Sequence, residues 1–170
     1  MIFPIVAYGD PVLKKRAIEI DKSYPSLAEL IDNMYETMHE SSGVGLAAPQ
    51  IGIHQRVIVI DVAGKDDPPA LIAAINPVIV HAEGETFEEE GCLSVPKYAA
   101  NVRRHASIVV KGLNLDGEEV TWKADGLLAI AFQHEIDHLD GILFVDHISQ
   151  LKKEIFRRKY RRSQDQEGND

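Results

Sequence analysis

The sequence contains a single cysteine, Cys92. It can therefore close no internal disulfide, which fits a reducing compartment and leaves the thiol free for packing or chemistry. Long apolar runs are also missing, and none approaches the roughly 20 residues that a membrane-crossing helix needs. No repeat recurs at a solenoid period, so a stacked array is excluded. The opening residues MIFPIVAYGD place no basic stretch before an apolar one and carry an acid at position ten. Neither a signal peptide nor a transit peptide is expected there, and a cytoplasmic protein is. An overall excess of positive charge is absent as well. The net charge of −9 argues against nucleic acid for the chain as a whole.

The charge is nonetheless uneven. Residues 152–162, KKEIFRRKYRR, hold seven basic residues and one acidic residue, so the remaining body carries −15. A length of 170 residues suits one domain with a core of its own. We expect it to span 1–162, followed by a disordered polar tail, SQDQEGND, at 163–170. Leu27, Leu30, Ile31, Met34, Tyr35 and Met38 recur at helical spacing and predict a helix over 27–39, with Ser26 as its N-cap and Ser41-Ser42-Gly43 as its stop. Four β-rich runs follow at 57–62, 70–80, 106–115 and 117–124, with Asp116-Gly117 marking a tight hairpin between the last two. Asp125 should cap a second helix over 126–139, GLLAIAFQHEIDHL, whose first half is apolar on nearly every side and must be buried. Ser149 should cap a third helix to about 162, its bases exposed and Leu151, Ile155 and Phe156 turned inward. Strands grouped apart from helices predict an α+β fold, mostly antiparallel sheet elements around a central buried helix, with a C-terminal helix added.

That central helix carries His134-Glu135-Ile136-Asp137-His138. Histidines four residues apart share a helix face, so both imidazoles can reach one metal ion, and Glu135 can stand beside a metal-bound water. Packing alone gives no reason for four ionisable groups within five positions of so apolar a helix. A catalytic site of this kind needs a third protein ligand and an open position. His147 and Asp146 lie downstream, beyond the Gly141 break. Cys92 is the stronger candidate, because it is the only thiol and follows Gly91 in E-G-C-L-S between two β-like segments. A thiolate with two imidazoles suits zinc, iron, nickel or cobalt. The small-residue loop GVGLAAPQIG at 43–52 lacks the lysine and hydroxyl of a phosphate loop. Read on its own, it is either a tight turn or a place where an extended ligand pairs with the backbone, with Gln50 as a side-chain donor.

Together, GVGLAAPQIG at 43–52, EGCLS at 90–94 and QHEIDHLDG at 133–141 resemble the three signature motifs of the peptide deformylase family, in order, and the likeness extends from GDPVL at 9–13 through the C-terminal helix. The resemblance implies removal of the formyl group from N-formyl-methionine on newly made polypeptides. It further implies Cys92, His134 and His138 as ligands of one divalent metal, Fe(II) by preference, and Glu135 as acid/base. Gln50 and the backbone N–H of Leu93 would hold the oxyanion. The peptide would lie along Val44, Gly45 and Leu46, with its methionine in a pocket that includes Val44, Leu127, Ile130 and His134. Two departures from the pattern stand out. Lys97-Tyr98-Ala99 replaces a segment in which some relatives carry arginine, and Glu88 stands where an apolar rim residue is common. Glu90 and Arg104 are expected to pair and brace the Cys92 loop. A monomer acting on nascent chains is expected, with ribosome contact through the basic helix. The competing readings are an ordinary zinc peptidase with a downstream ligand, and an RNA-contacting module with a vestigial site.

Overall fold

The computed structural model describes residues 1–21 and 24–167. In chain order the regular elements are α1 (Leu27–Glu40), β1 (Gly45–Ala47), β2 (Val57–Ile60), β3 (Ile72–Glu83), β4 (Thr86–Cys92), β5 (Val95–Arg104), β6 (Ser107–Leu113), β7 (Glu119–Asp125), α2 (Gly126–Leu139) and α3 (Gln150–Glu167). Five strands form one antiparallel sheet in the order β1-β2-β3-β6-β7, while β4 and β5 form a separate hairpin. The fold is α+β, as expected.

The Val-Ile-Val-Ile run of β2 explains the layering. Side chains alternate across a strand, and here Ile58 and Ile60 join Phe132, Ile136 and Leu139 of α2. Val57 and Val59 join Ile31, Met34 and Met38 of α1 on the opposite face. All four β2 residues are fully buried, so the sheet is covered by a helix on each side. A third cluster packs Val95 and Val102 of the hairpin against Leu143, Phe144, Ile148 and Phe156. The hairpin is thereby fastened to the C-terminal part of the chain and lies beside α2.

Several local expectations need correction. Ser26 precedes α1 but has φ 59°, and its side chain makes no cap bond; only its carbonyl accepts from Leu30 N–H. Asp125 likewise stands at the start of α2 without a side-chain cap, because it is also the last residue of β7, paired with Ser107. The Asp116-Gly117 turn is wider than two residues. Asn114 N–H donates to Glu118 carbonyl, and the Asn114 side chain accepts from the backbone of Asp116 and Glu118. Ser149 does cap α3, accepting from Lys152 N–H at 3.3 Å. Helix α3 is described to Glu167, past the expected end at 162, since residues 163–167 contain neither glycine nor proline to stop it. Of the expected tail, residues 168–170 lie outside the described residues. Leu151 and Ile155 are exposed. The inward stripe runs instead through Phe156 and Tyr160, which stack edge-on against Tyr8, and Tyr160 Oη–H donates to the Tyr8 carbonyl at 2.6 Å.

Candidate metal centre and cleft

Helix α2 carries His134, Glu135 and His138, and Cys92, the last residue of β4, meets the two histidines. The ligand-capable atoms of Cys92, His134 and His138 all lie within 4.8 Å of one another, the one such trio found among the described residues. Cys92 Sγ is 3.3 Å from His138 Nε2. His134 uses Nδ1 on Glu90 Oε1 at 2.9 Å, which leaves its Nε2 for the shared centre. His147 does not join them. Its Nε2 lies 2.8 Å from Asp137 Oδ2, so the downstream-ligand alternative has no geometry behind it, and Asp146 is engaged with Lys14 and the Leu143 N–H.

The electrostatics fit a cation. Burial opposes charge on His134, but Cys92 and Glu90 as hydrogen-bond partners, with Glu135 and Cys92 as nearby anions, outweigh it and push its pKa up to about 10. Burial, followed by the charges of His134 and Arg104, holds His138 well below its ordinary value. Two imidazoles driven in opposite directions beside Cys92 and Glu135 mark a place that favours positive charge. A divalent ion held there would supply it, with both imidazoles neutral and the sulfur as thiolate. The Glu135 carboxyl is pushed up to about 7, chiefly by burial, with Glu90 adding to the rise and His134 and Arg104 opposing it. Its Oε1 is buried with no hydrogen-bond partner in the protein, as is Nδ1 of His138.

Behind the ligands lies a buried ionic lattice. The Arg104 guanidinium grips Glu90 with two bonds of 2.8 and 2.9 Å and reaches Asp137 at 2.6 Å. The expected Glu90–Arg104 pair is therefore present, and it braces His134 on α2 as well as the Cys92 segment. Asp137 was not singled out by sequence reasoning. Only its place between Glu135 and His138 hinted at a role.

A cleft of about 940 Å³ opens over this centre. Gly43, Val44 and Gly45 form one wall, Glu88 through Leu93 another, and Leu127, Ile130 and His134 the helix side. Lys97, Tyr98 and Ala99 also border it, as does Glu88, so both departures from the family pattern fall on the cleft wall. Leu46 does not line it. Its side chain is fully buried against Met34 and Met38, because alternation turns it to the α1 face. Its backbone groups point to Val59 in the ladder with β2.

Gly45 is different. Val44 carbonyl accepts from Asp61 N–H, and Ala47 N–H leaves the ladder to donate to Gln50 Oε1 at 3.0 Å. The alternation therefore directs the N–H and C=O of Gly45 away from β2, at the free edge of the sheet. Gln50, in the 3₁₀ turn Ala48–Ile51, then points its Nε2 at Ser94 Oγ (3.1 Å) and Cys92 Sγ (3.5 Å). Leu93 sits between these two residues at the tip of the β4–β5 hairpin, within side-chain contact distance of Gly43.

Comparison with known proteins agrees with this arrangement. The family model described as polypeptide deformylase matches residues 2–154. The chain is 50% identical over 160 residues to the peptide deformylase of Thermodesulfovibrio yellowstonii, covering 94% of this chain and 97% of that one. It superposes on the crystal structure of a peptide deformylase from Legionella pneumophila with a TM-score of 0.88 and 43% identity, covering 96% and 98% of the two chains. A Met-Ala-Ser-bound class I type b peptide deformylase from Acinetobacter baumannii gives a TM-score of 0.82 at 38% identity, covering 87% and 99%.

Proposed function

The chain belongs to the peptide deformylase family, metal-dependent hydrolases that remove the N-terminal formyl group from nascent peptides, and from that premise we propose how its own residues divide the work. Cys92, His134 and His138 hold one divalent ion, Glu135 is the acid/base, and Gln50 Nε2 with the Leu93 N–H receives the developing charge on the formyl oxygen. The observation that carries this reading is a buried, unpartnered Glu135 oxygen directly beside the convergent trio.

A divalent ion bound there supplies a Lewis acid that brings the pKa of water toward neutrality. The protein does the rest. Gly45 offers its outward N–H and C=O to an extended peptide, which adds as a strand beside β1. The apolar helix face of Leu127 and Ile130 receives the methionine side chain. Glu135 takes a proton from the attacking water and returns it to the amine nitrogen as the C–N bond breaks and formate departs. Fixed donors at Gln50 and Leu93 meet the oxygen where its charge develops. The Met-Ala-Ser peptide bound by the Acinetobacter baumannii relative has the methionine-first form this arrangement suits.

Fe(II) is the ion we propose, since a thiolate and two imidazoles accept it and the family resemblance favours it; zinc, nickel or cobalt can substitute. Formate release from a formyl-Met peptide, measured with metal analysis after anaerobic purification, tests activity and ion together. Cys92→Ser should lose both the ion and turnover. A Cys92→Ser protein that kept its ion and cleaved internal peptide bonds would return the zinc-peptidase reading.

Gly45 carries a second prediction. A Cβ built there would lie 2.5 Å from Glu135 Oε2, so Gly45→Ala must push the carboxylate aside. A displacement of about 1 Å at a reacting group can cost on the order of 10²-fold in rate, which is the loss expected for kcat with the metal content unchanged. A fully active alanine variant would show that Glu135 tolerates relocation and is misassigned.

We further place the protein in the cytoplasm as a monomer. No helix among the described residues is long and apolar enough to cross a membrane. The exposed bases of α3 are proposed to contact the ribosome. Removal of the helix would also remove Phe156 from the core, so the cleaner test replaces Arg157, Arg158, Arg161 and Arg162 by Gln. Salt-sensitive ribosome binding should weaken, and binding equal to the parent's would exclude the contact.

A further inference from the structure

We propose that Ser94 is a positioning residue for the reaction: its hydroxyl locks the Gln50 amide with the NH₂ turned toward the reacting centre. This rests on the reading of Gln50 as a donor to the formyl oxygen.

The two ends of a glutamine amide are alike in size, and its terminal torsion has a broad well, so the end that faces a site must be enforced by partners. Here the partners are unambiguous. Ala47 N–H can only donate, so the end of Gln50 it meets at 3.0 Å must be the oxygen. The NH₂ is thereby directed to the opposite side, where Ser94 Oγ accepts at 3.1 Å. Gln50 is 1% exposed and Ser94 0%, so neither contact competes with bulk water. An amide nitrogen carries two hydrogens. One is committed to Ser94. The other makes only the long 3.5 Å contact with Cys92 Sγ and is the one free to move onto an incoming carbonyl oxygen.

Two features separate this role from a general packing role. The backbone of Ser94 is fastened independently, since its carbonyl accepts from Tyr8 N–H at 2.8 Å, so removing Oγ need not release the hairpin tip. Moreover, Ala47 N–H is the next outward-facing donor of β1 after Gly45. The same strand edge that would receive the peptide also holds the oxygen of Gln50, and Ser94 completes the clamp from the facing hairpin. Substrate alignment and donor alignment are thus set on one short strand.

The test compares the parent, Ser94→Ala, Gln50→Ala and the double variant, each zinc-loaded, for formate release from a formyl-Met peptide. Ser94→Ala should lower kcat on the order of tenfold, less than the roughly 10²- to 10³-fold expected from losing a donor outright, with KM and zinc content unchanged. In the Gln50→Ala background Ser94→Ala should cost nothing further. The side-chain amide resonances of Gln50 should shift or broaden in Ser94→Ala, a readout that a merely structural role would not move. Penalties that multiply, a parental kcat, or an unperturbed Gln50 amide would each overturn the positioning role. A parental rate for Gln50→Ala would instead remove the donor reading on which it rests. If Ser94→Ala loses stability, Ser94→Thr, which keeps the hydroxyl, should retain the Gln50 resonances and the rate, and failure to do so counts equally against the proposal.

Discussion

Glu135→Gln is expected to keep its metal, to turn over about 10²- to 10⁴-fold more slowly, and, once stripped of metal, to melt well above the parent at alkaline pH. The last effect follows from burial. The carboxyl is pushed up from 4.5 to about 7 because desolvation penalises its charged form, and its Oε1 finds no protein partner. A carboxyl whose folded pKa lies above its unfolded value binds protons more tightly in the folded state. Its cost to the metal-free fold is therefore absent below the unfolded value, grows as pH rises between the two, and is complete above about 7. At 1.36 kcal/mol per unit the ceiling is about 3 kcal/mol, or on the order of 5–10 °C for a chain of this size. Glutamine removes the charge while keeping the shape, so the gain should appear at pH 8 and vanish near pH 5. Parallel melting curves for the two metal-free proteins across that range would mean that Glu135 is not the desolvated group described here. A stabilising change that destroys activity is what a site held in tension for chemistry predicts.

Much of this site was legible because its chemistry is concentrated in short motifs. His134 and His138 lie four apart on a helix, and that spacing alone places both imidazoles on one face whatever surrounds them. Cys92 was identifiable because no other thiol competes with it. The partners contributed by tertiary structure were harder to read. Ser94 and Ala47 orient Gln50 across 44 and 3 residues of sequence respectively, and nothing local announces the longer of these links. Leu46 belongs to the segment expected to run beside the peptide, and strand alternation places its side chain in the core and leaves the outward backbone groups to Gly45. The helices over 27–39 and 126–139 stand where expected, but their capping contacts differ for a related reason. Ser26 and Asp125 have the side chains of helix caps, but a left-handed backbone at one and a strand pairing at the other decide where their oxygens point. The inward face of α3 was likewise set by Tyr8, about 150 residues away, and not by the apolar residues nearest its start.

Arg104→Met is expected to be the most damaging substitution outside the ligands themselves. Methionine fills a similar space but leaves the buried Glu90 carboxylate without its guanidinium, and the part-buried Asp137 with His147 alone. Breaking such a pair from one side typically costs about 3–5 kcal/mol. The damage should reach the metal as well, because Glu90 holds His134 through Nδ1, and loss of an outer partner commonly weakens metal affinity about 10- to 100-fold. The pH dependence identifies the cause. Burial raises both carboxyls, but Arg104 and the histidines outweigh it and hold them below their ordinary values. Their contribution is therefore complete above the ordinary carboxylate range and is lost as pH falls through the lowered values. In the variant the carboxylates that have lost the guanidinium gain by protonation, so its deficit against the parent should be greatest at neutral pH and narrow towards pH 4. Lysine should not rescue it, since a single ammonium cannot supply the two-pronged grip on Glu90 and the third bond to Asp137 at once. If the methionine variant matched the parent in melting temperature and zinc affinity, the lattice would be incidental to the site. If its deficit were the same at pH 7 and pH 4, the loss would come from packing and not from charge.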